Sequence, residues 1–152
     1  MKATALLIVM LCSSLLYAQK STYQGFPSLV WPKLYDITFV KGQDNLGQYD
    51  KPVFTDAVKA LRNKTVILPG YMVPLENTTS SARIMLSSLP LNACFFCGVG
   101  GPETVVEVNL KKKTPWMERP IEVKGTLRLN DLDPDQMIYV LEAAEIVGTL
   151  DF

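Results

Sequence analysis

Apolar and polar side chains alternate most regularly between Ile121 and Leu129. Ile121, Val123, Leu127 and Leu129 occupy alternate positions, Gly125 lies in the same row, and polar or charged residues fill the positions between them. A period of two is that of a β-strand with one buried face and one wet face. The glycine in the buried row indicates sharp curvature, as at the corner of a barrel.

Shorter β-forming runs bring the predicted total to five or six strands. Pro69 and Pro74 interrupt one run, and because proline cannot donate to a ladder, that strand is expected to be bent, bulged or at an edge. Residues 41–51 are rich in glycine, asparagine and aspartate and predict a loop, and Lys111–Lys113 predicts a turn. The other predicted strands are Leu34–Val40, Thr65–Leu75, Arg83–Ser87, Val105–Leu110 and Met137–Val147.

One short helix is expected among these strands, because Phe54, Ala57, Val58 and Leu61 share one helical face. The strands do not alternate with helices as in a parallel sheet. The pattern therefore predicts a mainly β protein, a small and partly open antiparallel barrel of the oligonucleotide/oligosaccharide-binding (OB) type. A β-sandwich is the alternative.

The N-terminus has the layout of a secretory signal peptide. Lys2 gives a positive start, an apolar run extends to Leu16, and the small residue Ala18 precedes a cleavage position. We therefore expect a signal peptide over residues 1–18, a flexible leader over 19–30 and a single barrel domain over 31–150. Removal of the signal would delete Cys12 and leave Cys94 and Cys97 as the only cysteines, and it would leave no membrane-spanning segment.

Composition narrows the possible functions. The 152 residues carry 15 basic and 15 acidic side chains and no histidine. A net charge of zero argues against a nucleic-acid partner, which requires a positive surplus to neutralise phosphates. The absence of histidine removes the most common general base and the Ser–His and Cys–His dyads. No catalytic residue can be nominated from the sequence.

The segment Ala93-Cys-Phe-Phe-Cys-Gly98 holds the most prominent candidate chemistry, a CxxC motif. Two thiolates on a tight turn form half of a zinc or copper site, which Glu76, Glu103, a water molecule or a second chain would have to complete. A local Cys94–Cys97 disulfide is the structural alternative in an oxidising compartment. A thiol oxidoreductase is a third reading, although the glycines and proline after Cys97 are a poor start for a helix.

Four segments together resemble a bacterial family catalogued as domain of unknown function 3299. They are Val66-Ile-Leu-Pro-Gly-Tyr-Met-Val-Pro-Leu-Glu76, Ile84-Met-Leu86, Ala93-Cys-Phe-Phe-Cys-Gly-Val-Gly-Gly-Pro-Glu103 and Val123-Lys-Gly-Thr-Leu127. The resemblance runs from about Trp31 to Val147 and implies an exported, periplasmic or lipid-anchored protein of a Gram-negative bacterium, sometimes encoded beside ABC-type export or metal-uptake systems.

The same resemblance bears on the cysteine chemistry. Other branches of the family place Ala-Cys-x-His where this chain has Ala93-Cys94-Phe95-Phe96-Cys97. Cysteine and histidine replace each other as metal ligands but not as disulfide partners. The resemblance thus favours Cys94 and Cys97 as metal ligands, with Glu76 as a weaker third candidate.

Taken together, these observations predict an exported, periplasmic, non-enzymatic accessory protein that handles a metal, zinc or copper, through its CxxC loop. Its partner would be an envelope transporter or another protein. The alternatives are a structural or protein-interaction module of the cell envelope with a Cys94–Cys97 disulfide, and a thiol oxidoreductase. The sequence leaves the oligomeric state open.

Overall fold

A computed structural model of the chain describes residues 23, 25–44, 47–73, 79–133 and 135–151. The predicted signal peptide, residues 1–18, lies outside this part of the chain. The helices and strands of the described residues are α1 (Trp31–Leu34), β1 (Ile37–Asp44), β2 (Gly47–Phe54), α2 (Asp56–Lys59), β3 (Thr65–Val73), β4 (Ser80–Ser87), β5 (Val105–Pro115), β6 (Ile121–Leu129) and β7 (Tyr139–Thr149).

Five of the strands form a closed barrel in the order β3-β4-β5-β7-β6, with β6 pairing back onto β3. Numbered within the barrel, this order is 1-2-3-5-4, the arrangement of an OB-type barrel. The prediction of a mainly β, OB-like barrel is confirmed, and the barrel is closed rather than partly open. It is also not wholly antiparallel, since β5 and β7 run parallel.

The barrel core follows the alternation seen in the sequence. Strand β6 has the predicted bounds, and its inward row is buried at every position. Gly125 lies in that row beside a shift in the β6–β7 register, where a Cβ atom would lie 3.1 Å from the Cβ of Ala144. A side chain at this position would therefore crowd β7.

Helix α1 covers one end of the barrel. Trp31 and Leu34 are fully buried in the core, and the Trp31 indole Nε1 donates a 2.7 Å hydrogen bond to the carbonyl of Pro69 in β3. The Tyr139 hydroxyl donates a 2.7 Å hydrogen bond to the carbonyl of Leu34. These contacts fix the helix to β3 and to the start of β7.

The described part of the predicted leader also contacts the barrel. Phe26 is buried, and its ring lies 5.0 Å from the ring of Tyr71.

Strands β1 and β2 form a hairpin that the sequence did not predict. The first strand begins and ends later than the expected Leu34–Val40, and residues 47–51, expected in a loop, lie in β2. The hairpin is a separate two-stranded sheet, and most of its side chains are partly or fully exposed. Because neither face is consistently buried, the sequence carries no alternation there.

The prediction of a turn at Lys111–Lys113 was also wrong. Strand β5 continues through the lysines to Pro115, which pairs with Ser80 of β4. Three consecutive exposed side chains hide the period of two, but pairing with β4 extends the strand.

The predicted helix between the early strands is confirmed in a shorter form as α2. The side chain of Thr55, just before this helix, accepts a hydrogen bond from the amide of Val58. With α1, the described residues hold two short α-helices instead of one.

Candidate metal site in the cysteine loop

The cysteine loop, residues 88–104, joins β4 to β5 at one end of the barrel. Its two ends are held together, since the amide and the hydroxyl of Ser88 both donate to the carbonyl of Thr104 at 2.9 Å. The Ser88 hydroxyl also lies 2.8 Å from the Tyr35 hydroxyl, which follows α1. The loop is therefore anchored to the barrel and to its helical cover. Between these anchors it forms three short 3-10 turns, Leu91–Ala93, Phe95–Cys97 and Pro102–Thr104.

The turn Phe95–Cys97 brings the two cysteines together. The Cys97 amide donates to the Cys94 carbonyl at 3.1 Å, and Gly98 ends the turn with a φ of 78° that favours glycine. The two Sγ atoms lie 3.8 Å apart and are not joined by a disulfide bond. Cys94 is only 1% exposed, whereas Cys97 is exposed to solvent. The motif thus presents one thiol at the surface and keeps the other buried.

This sulfur separation fits a shared metal ion. A tetrahedral ion bound to each sulfur at about 2.3 Å holds the two sulfurs roughly 3.8 Å apart. The Cys97 thiol donates a 2.7 Å hydrogen bond to the Leu91 carbonyl, and hydrogen bonding to Cys94 raises the pKa of the Cys97 thiol. Metal binding would replace these thiol hydrogens, because thiolates rather than thiols are ligands.

The described residues hold no third ligand beside the two thiols. No group of three or more cysteine, aspartate or glutamate residues that could hold a metal ion occurs among them. Glu103, one of the carboxylates that the sequence offered, does not complete such a group. Burial raises the pKa of the Tyr139 phenol, and the charge of Glu103 raises it further. Glu76 lies outside the described residues.

The geometry departs from that of a thiol oxidoreductase. That reading requires an exposed Cys94 with a lowered pKa, typically at the start of a helix. Cys94 is instead buried, and Cys97 is followed by a left-handed glycine rather than an α-helix. The exposed thiol is Cys97, and hydrogen bonding to Cys94 raises its pKa, whereas a thiol oxidoreductase needs a lowered one.

Three exposed apolar side chains lie in the same loop as the exposed thiol. Leu91, Phe96 and Val99 are 41%, 50% and 70% exposed, and we call these three residues the apolar rim. No charged residue occurs in the sequence between Arg83 and Glu103. The sequence reasoning missed this surface, although the long uncharged stretch was the signal that could have revealed it.

Comparisons with known proteins place the chain in a sequence family. The family model described as a protein of unknown function (DUF3299) matches residues 35–147. The crystal structure of a DUF3299 family protein from Pseudomonas aeruginosa PAO1 is similar over 62% of this chain and 66% of that chain, with 24% identity and a TM-score of 0.48. No curated protein matches the chain significantly. None of the helices within the described residues reaches the length and hydropathy of a membrane-spanning segment.

Proposed function

Because the chain belongs to the DUF3299 family, whose function is unknown, we propose its function from its own geometry: it is an exported accessory protein that binds a thiophilic metal ion. Cys94 and Cys97 are the protein ligands, and zinc or copper is the ion. The observation that carries this proposal is the pair of unbonded sulfurs 3.8 Å apart, with one of them open to solvent. Zinc and copper(I) both favour thiolate ligands.

The exposed and buried positions of the two thiols support metal binding over a purely structural role. A closed structural site would have all its ligands within the fold, whereas this pair supplies two and opens toward solvent on one side. A disulfide across so short a loop would restrict the unfolded chain only modestly, by roughly 2 kcal/mol in the entropy model. Such a bond would add little to a closed barrel.

Export is the second component of the proposal. The predicted signal peptide over residues 1–18 supports it, as does the resemblance to exported family members. In the periplasm, an open two-thiolate site could accept an ion and release it to a protein with further ligands. An envelope transporter is the kind of partner that this role requires.

Metal content and thiol state of the native exported protein test the proposal together. We expect mass spectrometry under native conditions to show bound zinc or copper, and the exposed Cys97 to become alkylated only after metal removal. Cys97→Ser and Cys94→Ser should each lower metal affinity by at least tenfold. Asn92→Ala is the matched control, because Asn92 lies exposed in the same loop and carries no ligand.

Glu76→Gln measures whether that carboxylate contributes a ligand, and a fall in affinity would identify it as the third one. An intramolecular Cys94–Cys97 disulfide with no bound metal in the native protein would overturn the proposed function and favour the envelope-module alternative.

A further inference from the structure

The apolar rim belongs to the same loop as a thiol pair that has no third ligand among the described residues. Leu91 contacts the Cys97 sulfur through its carbonyl at 2.7 Å, and Phe96 lies between the two cysteines in the chain. Three exposed apolar side chains on one uncharged loop suit contact with another molecule. A molecule that contacts Leu91 and Phe96 therefore also comes close to Cys97.

The number of metal ligands indicates what the molecule that covers the apolar rim supplies. A closed thiophilic zinc site takes four protein ligands, and this chain offers two thiolates with no third partner among the described residues. Two copies of the chain together supply four thiolates, which is the all-cysteine ligand set of many structural zinc sites. The shortage is removed by one additional copy, without any other protein.

Resting on the proposed function, we propose that two copies of this chain share one metal ion through Cys94 and Cys97 of each copy. The apolar rims of the two copies pack against each other around the ion. The exposed Cys97 Sγ meets the ion first, and the Cys94 Sγ, 3.8 Å from it, supplies the second sulfur of each half of the tetrahedron. Each of the four thiols gives up its proton to solvent as its metal–sulfur bond forms.

The lack of charged side chains in the loop suits a contact between two copies related by a twofold axis. A twofold axis places the same surface patch of each copy against itself, so any charge in the patch would repel its own copy. The stretch from Leu89 to Pro102 has no charged side chain, and the rim residues are apolar. Burial of Leu91, Phe96 and Val99 therefore stabilises the contact, but the small area of three side chains makes the dimer dependent on the ion.

Zinc titration of the reduced exported protein, followed by analytical ultracentrifugation, tests this inference. We expect saturation at one zinc ion per two chains, a twofold rise in mass on zinc addition, and return to the monomer with a chelator. Cobalt(II) as a spectroscopic probe should give the intense visible bands of a tetrahedral four-thiolate site. Glu76→Gln should leave both the stoichiometry and the dimer unchanged.

A variant outside the ligand set separates the two proposals. Phe96→Ser combined with Val99→Ser keeps both thiols, so we expect it to bind one ion per chain, at least tenfold more weakly, and to remain a monomer. Both residues are exposed, and an unchanged thermal unfolding midpoint will verify that the barrel is intact.

Each contrary result has a distinct meaning. A wild-type monomer with one ion per chain would overturn the shared site and leave the proposed metal binding in place. A dimer that forms equally well without metal would also overturn the shared site. Absence of metal binding in the reduced wild-type protein would overturn both proposals.

Discussion

The Tyr139 hydroxyl shows how a single buried polar group links the helical cover to the barrel. It is fully buried and donates to the Leu34 carbonyl at 2.7 Å. We expect Tyr139→Phe to destabilise the protein by about 1–3 kcal/mol, because the buried carbonyl loses its partner. Urea unfolding at neutral pH measures the change. Tyr49→Phe, on a ring that is 43% exposed, should have little effect. Equal losses in the two variants would contradict this role for Tyr139.

The same tyrosine predicts a pH dependence. Burial, and then the charges of Glu103 and Asp36, raise the pKa of the Tyr139 phenol. The folded state thus favours the neutral phenol. Its contribution to stability is fully present below the unfolded pKa of about 10 and is lost as the pH rises above that value. Unfolding free energies between pH 9 and about 12 should fall less steeply in Tyr139→Phe than in the wild type. Identical slopes would contradict the assignment.

Ala143 has a backbone conformation that the sequence does not predict. Its φ of 49° lies in the left-handed region, and it is located where the pairing of β7 shifts register with both β5 and β6. We expect Ala143→Val to destabilise the fold by about 1–3 kcal/mol, because a β-branched residue is strained there. Ala143→Gly should be neutral or stabilising, within about 1 kcal/mol. Thr149→Val in the same strand is the control, and thermal unfolding should show no loss for it. A tolerated Ala143→Val would disprove the strain.

Strands β3 and β4 approach each other closely at Gly70, and this is a property of the pair rather than of one residue. A Cβ atom there would lie 2.6 Å from the Ser87 backbone oxygen and 2.8 Å from the Cγ of Leu86. Gly70→Ala should therefore push the strands apart and cost about 1–3 kcal/mol. Gly148→Ala is the matched control, since its nearest neighbour is the flexible end of Glu122 at 3.1 Å. Equal denaturation midpoints for the two variants would contradict the account.

At the level of elements, sequence reasoning succeeded where one face of a strand is buried. Strand β6 was predicted with its observed bounds because its alternation is uninterrupted. The β1–β2 hairpin was missed because most of its side chains are partly or fully exposed. The C-terminal part of β5 was missed because three lysines conceal the alternation, while pairing with β4 maintains the strand.

For the whole molecule, the fold places the candidate site on a rigid base. The cysteine loop leaves β4 and enters β5 at the barrel end that α1 covers, and Ser88 ties it to Thr104 and Tyr35. The motif itself could be predicted from spacing alone. The sequence could not predict that Cys94 is buried while Cys97 is exposed, because that difference depends on how the loop packs against the barrel.

Zinc K-edge X-ray absorption of the zinc-loaded protein tests the central claim most directly, because it measures the ligand distances at the ion. The account predicts a sulfur shell at about 2.3 Å that disappears when Cys94 and Cys97 are both replaced by serine. A shell made only of nitrogen or oxygen neighbours at about 2.0–2.2 Å, unchanged by the two substitutions, would contradict it.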